Sequence, residues 1–122
     1  LVAAGENTFE SGVRAGKQLL SRTDKPTAIF ASNDAMALGV LKSANMMGIS
    51  VPQQLSVAGY DDSALATVTW PDLTTVHQPV EQMGELAARK LLQQLSNNGG
   101  QLDIPGTIEP AIVVRHSTRP LS

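Results

Sequence analysis

The chain has 122 residues, of which 42% are hydrophobic, and this is enough for one domain with a core. Nine Lys and Arg residues against eleven Asp and Glu residues give a net charge of −2, which argues against a surface that reads nucleic acid. The absence of Cys excludes disulfides, thiolate catalysis and Cys-based zinc sites and fits a cytoplasmic protein, and no apolar run approaches the ~20 residues that span a membrane.

The first half of the chain alternates strands and helices. The hydrophobic pattern predicts strands at Leu1 to Ala4, Thr27 to Ala31 and Leu55 to Ala58. Between them it predicts helices at Thr8 to Leu20 and Asp34 to Met47. Because the chain starts in mid-strand at Leu1 without an initiating Met, we expect it to be a fragment of a longer protein.

Both predicted helices have an apolar side. The first is expected to bury Val13, the stem of Lys17, Leu19 and Leu20. The second has buried positions at helical spacing, namely Ala37, Val40, Leu41, Ala44 and Met47. Gly48 is expected to be the C′ residue that follows this helix. Gly39 lies inside the helix, where glycine costs ~1 kcal/mol relative to alanine, and close helix–sheet packing is the expected reason.

The second half contains a long loop, two strands and a helix. The strands are predicted at Leu73 to His77 and Ala111 to Arg115, and the helix at Pro79 to about Leu95. The helix has an apolar line at Val80, Met83, Ala87, Leu91 and Leu95, and is expected to end at Asn97 to Gly100. A surface loop is predicted at Ser96 to Gly106. The order of elements predicts a Rossmann-like α/β fold, with a mostly parallel sheet and helices on both faces.

Polar side chains follow two of the predicted strands. Asn33 and Asp34 come after one strand, Asp61 comes after the next, and Glu6 follows the first. Because parallel strands end at one edge of a sheet, we expect these residues at the edge where α/β proteins bind ligands. Carboxylate and amide groups suit a ligand with many hydroxyls. For Asp34 a helix cap is the favoured interpretation, whereas for Asn33 and Asp61 ligand contact is favoured.

Two other kinds of chemistry are less favoured. Asp34, Asp61 and Asp62 could form a magnesium site, but no Lys or Gly-rich loop is placed to hold a phosphate. His77 has no nucleophile at a fixed spacing, so a half-buried, hydrogen-bonded histidine is favoured over a catalytic base. The apolar loop from Ser63 to Trp70 is either a lid over the core or a subunit contact.

Several stretches resemble the effector-binding core of the lactose-repressor/galactose-repressor (LacI/GalR) family of bacterial transcription regulators. They occur in the order and spacing of that family over essentially the whole chain. They are Gly5 to Gly12, Pro26 to Gly39, Val51-Pro52 with Leu55 to Asp62, Leu73 to Pro79, and Val114 to Arg119. The resemblance implies a lobe of the periplasmic-binding-protein-like type I fold and roughly the last third of such a regulator.

The resemblance also implies a division of the chain and a set of functional residues. Residues 1–78 would belong to the C-terminal lobe, residues 79–109 to the other lobe, and residues 110–122 to a return strand and tail. Asn33 and Asp61 carry over as effector contacts. Asn7 is included with them, although many members have an aromatic residue there, which puts a stacked ligand in doubt. Leu38, Leu65, Val68 and Trp70 fall where the lobes of the family pair into dimers.

Three functions follow as hypotheses. The first is the sensing and dimerisation part of a cytoplasmic regulator, which the resemblance implies to be a repressor, with a sugar, nucleoside or similar effector and no cofactor. Operator DNA would be bound only through a separate N-terminal domain. The second is a periplasmic sugar-binding protein of the same fold. The third is a small enzyme of flavodoxin-like topology, which the lack of a nucleophile–base pair disfavours.

Overall fold

A computed structural model describes residues 1–96 and 106–121 of the chain. The described elements, in chain order, are α1 (Phe9–Leu20), β1 (Ala28–Phe30), α2 (Asp34–Met46), β2 (Ser56–Ala58), a short 3₁₀ helix (Ala64–Thr67), β3 (Thr75–His77), α3 (Val80–Leu95) and β4 (Ala111–Val113). The predicted helix stop at Asn97 to Gly100 and most of the predicted loop from Ser96 to Gly106 lie outside the described residues. No described helix has both the length and the apolar character needed to cross a membrane.

The strands pair in the way that the α/β prediction requires. β1 and β2 are parallel, with Ile29 opposite Val57. Isolated parallel bridges join Ala58 to Thr74 and Asp61 to His77, and β3 is hydrogen-bonded to β4. The predicted strand at Leu1 to Ala4 is wrong, because this segment joins no ladder, and Leu1 and Val2 are 70% and 96% exposed. An apolar run favours a strand, but it cannot supply the neighbouring strand that a ladder needs.

The described residues divide into two compact units. One contains residues Leu1–His77 and the segment from Ile112 onward, and the other contains Gln78–Ala111. The core of the first unit lies between α2 and the strands, and its buried apolar residues include Ala37, Val40, Ala44, Leu55, Val57 and Leu73. In the second unit no residue of α3 is buried, so its apolar line is exposed within the described residues.

Helix α2 has the predicted core face for most of its length. Ala37, Val40 and Ala44 are buried, and Leu41 packs against the core. Met47 was expected to be buried and is exposed, because it is the C-cap residue where the helix ends. Gly48 follows it with φ = 69°, which confirms its predicted role after the helix.

Helix α1 buries small residues rather than large ones. Thr8 caps it, with Oγ1 accepting a hydrogen bond from the Ser11 N–H at 3.2 Å. Leu20 is buried as predicted, but Lys17 is exposed, so that prediction is wrong. The buried face consists of Ser11, Gly12, Ala15, Gly16 and Leu20. A search for bulky apolar residues overlooks a face of this kind, because its burial comes from close approach to another helix.

The contact between α1 and α2 explains Gly39. A Cβ atom at Gly39 would collide with backbone atoms of Phe9, Gly12 and Val13. The expected helix–sheet packing of Gly39 is therefore wrong, since the glycine permits close packing of two helices. Beside it, the Ser43 hydroxyl donates a hydrogen bond to the Val13 carbonyl at 2.8 Å. Because Gly39 has no side chain, the backbones of α1 and α2 can approach each other closely.

Gly39→Ala is expected to lower the free energy of unfolding by about 2 kcal/mol, because overpacking costs about 1–3 kcal/mol and here backbone must move. Gly84→Ala in α3 is the matched control, since an added Cβ there meets nothing within 4 Å. This control is expected to be neutral or to stabilise by about 0.5–1 kcal/mol. Urea unfolding followed by circular dichroism measures both, and an unchanged midpoint for Gly39→Ala would contradict the described helix contact.

Candidate functional site

The segments that follow β1 and β2 remain paired beyond the strands. The Ala31 N–H donates to the Ala58 carbonyl at 2.8 Å, and the Asp34 N–H donates to the Tyr60 carbonyl at 2.9 Å. Asn33 and Asp61 are each one residue away from the Asp34–Tyr60 hydrogen bond. The structure therefore brings these two predicted site residues to the same edge of the parallel strands.

Asn33 is the residue that caps α2. Its backbone is extended, and its Oδ1 accepts a hydrogen bond from the Met36 N–H at 2.8 Å. The preference for Asp34 as the cap is therefore wrong, because the helix already begins at Asp34 and the cap is the extended residue before it. Capping fixes the Asn33 side chain at the edge and leaves its amide nitrogen pointing to a second partner.

That second partner is the loop before α1. The Asn33 Nδ2 donates to the Asn7 carbonyl at 3.1 Å, and the Ser32 hydroxyl lies 3.4 Å from Asn7 Oδ1. Asn7 is exposed and has φ = 59°, a left-handed conformation that Asn tolerates better than most residues. Asn7 and Asn33 are thus in direct contact. Glu6, also expected nearby, forms an exposed ion pair with Arg14 at 2.9 Å.

Asp34 is buried and serves the structure. It is 1% exposed, and Oδ1 accepts from the Thr75 hydroxyl at 2.6 Å. Its Oδ2 accepts from the Ser63 N–H at 2.7 Å and from the Ser63 hydroxyl at 3.0 Å. These hydrogen bonds offset the cost of burying a carboxyl group. They also connect the start of α2 with the loop after β2 and with β3.

Asp61 and Asp62 lie in an unusual stretch of backbone. Their φ angles are 113° and 52°, which non-glycine residues rarely adopt. The Asp61 N–H donates to the Val76 carbonyl at 2.9 Å, and the residue is exposed. The backbone of Asp61 is therefore attached to β3, and the side chain is at the surface of the edge.

Asp62 forms a polar cluster with Arg115 and His77, which we call the Asp62 cluster. Arg115 Nη2 donates to Asp62 Oδ1 at 2.7 Å, and His77 Nδ1 lies 3.1 Å from Asp62 Oδ2. The hydrogen bond from Arg115 holds the pKa of the Asp62 carboxyl below its ordinary value, with a smaller opposing effect of burial. Sequence reasoning did not single out Arg115, and the available signal was a cation directly after an apolar strand.

The alternative interpretations can now be compared with these contacts. Asp34 accepts from Ser63 and Thr75 and Asp62 pairs with Arg115, and within residues 1–96 and 106–121 no group of three His, Cys, Asp or Glu could hold a metal ion. His77 has a hydrogen-bonded ring, as favoured, and its side chain is 51% exposed.

The apolar loop from Ser63 to Trp70 contains one buried residue and several exposed ones. Ala66 is fully buried, and its carbonyl accepts from the Leu73 N–H at 2.8 Å. Leu65, Val68 and Trp70 are exposed, and Trp70 reaches 93% exposure. Leu38 on α2 is partly buried against the core. Within this loop only Ala66 covers the core as a lid would, and the three larger side chains are exposed.

An α/β unit with polar side chains gathered at the ends of parallel strands is typical of a domain that binds a small ligand. Residues 1–118 match the family model of the periplasmic binding protein-like domain, and the chain belongs to that family. Within it, the homologues and structural neighbours of this chain include LacI-family regulators. The resemblance inferred from the sequence motifs is therefore confirmed.

Three relatives illustrate this similarity. The HTH-type transcriptional repressor PurR of Escherichia fergusonii is 42% identical over 118 residues, which are 95% of this chain and 34% of that protein. A sugar-binding LacI-family regulator from Escherichia coli, complexed with phosphate, has a TM-score of 0.87 and 38% identity, covering 96% of this chain and 41% of that one. A LacI-family regulator from Lactobacillus casei with bound sucrose has a TM-score of 0.78 and 36% identity, covering 92% and 41%.

The chain spans about a third of the length of the PurR relatives that it matches. The relatives are transcriptional regulators, and they give no support to the hypothesis of a periplasmic carrier.

Acid is expected to weaken the Asp62 cluster. Because the pKa of Asp62 is below its ordinary value of 3.8 in the folded protein, the unfolded chain binds the proton first. The ionised Asp62 carboxylate therefore stabilises the folded state fully above about pH 5. This stabilisation is lost as the pH falls through the lowered pKa that Asp62 has in the folded protein. Asp62→Asn is expected to cost about 2 kcal/mol at neutral pH, as for other hydrogen bonds to charged groups, and to reduce the loss of stability in acid.

Urea unfolding at several pH values measures this effect. Asp24→Asn is the matched control, because Asp24 also has a lowered pKa from a hydrogen bond with an arginine, Arg22, but its side chain is 63% exposed. Solvent screens that pair, so the control is expected to keep the acid dependence of the unchanged protein. If the stability of Asp62→Asn depends on acid in the same way as that of the unchanged protein, Asp62 does not contribute to the acid dependence of stability.

Proposed function

We propose that this chain is the effector-sensing and dimerisation part of a LacI/GalR-type transcriptional regulator that acts as a repressor. The observation that carries the proposal is the meeting of Asn7, Asn33 and Asp61 at one edge of the parallel strands. The chain acts in the cytoplasm as a binding module and not as an enzyme. Operator DNA is contacted by a part of the regulator outside this segment, in agreement with its net charge of −2.

The effector is a sugar or a similar small polar molecule. The exposed carboxylate of Asp61 can accept hydrogen bonds from two neighbouring hydroxyls. Beyond its bonds to Met36 and Asn7, the Asn33 amide has a second N–H and a second oxygen lone pair, so it can both donate to a ligand and accept from it. Asn7 adds another polar group beside Asn33 and offers no aromatic face for stacking. The names of two relatives, a sugar-binding regulator and a regulator with bound sucrose, support this ligand class.

The effector of the whole regulator would be enclosed by two lobes, of which this chain supplies a part. Residues 1–78 belong to one lobe, residues 79–109 to the other, and residues 110–122 return to the first. The division of the described residues after His77 and again at Ile112 supports this assignment. Closure of the lobes around the effector changes the orientation of the distant DNA-binding domains, which is how ligand binding regulates the protein.

The regulator is a homodimer, and the dimer contact includes Leu38, Leu65, Val68 and Trp70. The exposure of the three loop residues supports this proposal, because apolar patches on loops often mark interfaces. A two-fold contact places the same patch on both copies, so one substitution changes both sides of the interface.

Asp61→Ala is expected to lower effector affinity by about 1.5–3 kcal/mol, the usual value of hydrogen bonds to a charged group. The measurement is calorimetric titration, with a panel of mono- and disaccharides that includes sucrose, of a protein long enough to contain both lobes. Asp24→Ala, which removes an exposed carboxylate bonded to Arg22, is the control and is expected to bind normally. Failure of every sugar to bind, or equal affinity in a folded Asp61→Ala variant, would refute the proposed site.

Leu38→Glu is expected to convert the dimer to monomers, because the interface would bury a carboxylate with no partner. Sedimentation velocity measures the change in mass. Val2→Glu replaces an apolar residue that is 96% exposed and is not part of the proposed dimer contact, so this variant is expected to remain dimeric. A tight dimer in both variants would place the contact elsewhere.

A further inference from the structure

Two consecutive residues at the candidate site have left-handed backbone. Asp61 has φ = 113° and Asp62 has φ = 52°, and neither is glycine. Such conformations persist only where the surrounding structure determines them by several contacts, and they are concentrated at functional sites. The contacts that hold this stretch therefore also determine where the Asp61 side chain is presented.

Asp62 supplies several of these contacts. Its N–H donates to the Thr75 hydroxyl at 3.3 Å, its Oδ1 accepts from Arg115 at 2.7 Å, and its Oδ2 is 3.1 Å from His77 Nδ1. Asp61, in contrast, is exposed and is joined to β3 through its own N–H. The two neighbouring carboxylates thus differ in environment, because that of Asp62 is partly buried against Arg115 and Asp61 is at the surface.

Arg115 is held in place by two further hydrogen bonds. Its backbone N–H donates to the Thr74 hydroxyl at 2.9 Å, and its Nη1 donates to the Leu73 carbonyl at 2.9 Å. The side chains of Arg115 and Asp62 are only 18% and 19% exposed. One guanidinium therefore joins a backbone carbonyl before β3 to the carboxylate beside Asp61. The planar fork of arginine can span two such acceptors, whereas the single ammonium of lysine cannot reproduce the geometry.

We propose that Arg115 is a positioning residue for effector binding, which acts through Asp62 to hold Asp61 at the ligand edge without contacting the ligand itself. This inference rests on the proposed role of Asp61 as an effector contact. It predicts that loss of Arg115 loosens the Asp61 segment while β1 and β2 remain paired.

The test is solution NMR of the full chain without ligand, comparing the unchanged protein with Arg115→Met and Arg115→Lys. The first readout is the strong amide-to-Hα cross-peak within Asp61 and within Asp62 that left-handed backbone produces. The second is hydrogen exchange of the Asp61 amide, compared with that of Ala31, whose N–H donates to Ala58 between the strand segments. Arg22→Met is the matched control, because it removes an arginine that pairs with Asp24 at the surface.

Both Arg115 variants are expected to weaken the two cross-peaks and to accelerate exchange at Asp61 by about tenfold or more, as for loss of a hydrogen bond to a charged group. Exchange at Ala31 is expected to stay unchanged, which separates positioning from general loss of stability. Arg22→Met is expected to leave all of these signals as they are.

Unchanged cross-peaks and unchanged exchange at Asp61 in a folded Arg115→Met variant would overturn the proposal. Parallel acceleration at Asp61 and Ala31 would also overturn it, because Arg115 would then support the whole unit. If Arg115→Met does not fold, Arg115→Lys decides by the same comparison. None of these signals needs a ligand, so failure of the proposed function would appear separately, as the absence of sugar binding by the unchanged protein.

Discussion

The buried carboxyl group of Asp34 is the interaction on which the rest of the site depends. It accepts hydrogen bonds from the hydroxyl of Thr75 and from the N–H and hydroxyl of Ser63. A buried carboxyl group is costly unless such donors are present, so α2 can begin at this point only when β3 and the loop after β2 are in place. Gly59 is part of the same constraint, because a Cβ atom there would clash with Asp34 Oδ1.

This constraint explains why the proposed ligand residues can be held accurately. Asn33 precedes Asp34 and is fixed as the cap of α2, while Tyr60, bonded to the Asp34 N–H, precedes Asp61. Each proposed contact is therefore covalently next to a residue with a determined position. Binding sites depend on such support, because a side chain that moves by an ångström loses much of its hydrogen bonding. The tight contact of Gly39 with α1 extends the support to the loop that carries Asn7.

Much of this arrangement could be predicted from the sequence, because it follows from periodicity and from glycine. The later strands, the helices and the left-handed Gly48 all depend on local patterns. Three of the errors share another cause, since each depends on a partner elsewhere in the chain. Leu1 to Ala4 lack a neighbouring strand, and Gly39 meets a helix and not the sheet. Asp34, expected as the helix cap, is instead buried against donors from Ser63 and Thr75.

The three aspartates of the site show how environment separates residues of one type. Asp34 is buried among neutral donors, Asp62 is partly buried against a guanidinium, and Asp61 is exposed. Their sequence pattern also allows a magnesium site as a less favoured alternative, because acidic residues at strand ends can bind that ion. The donors already bonded to Asp34 and the cation beside Asp62 argue against a shared ion. The exposed carboxylate of Asp61 is instead suited to a neutral ligand that offers hydroxyl groups, because such a ligand brings donors and no competing charge.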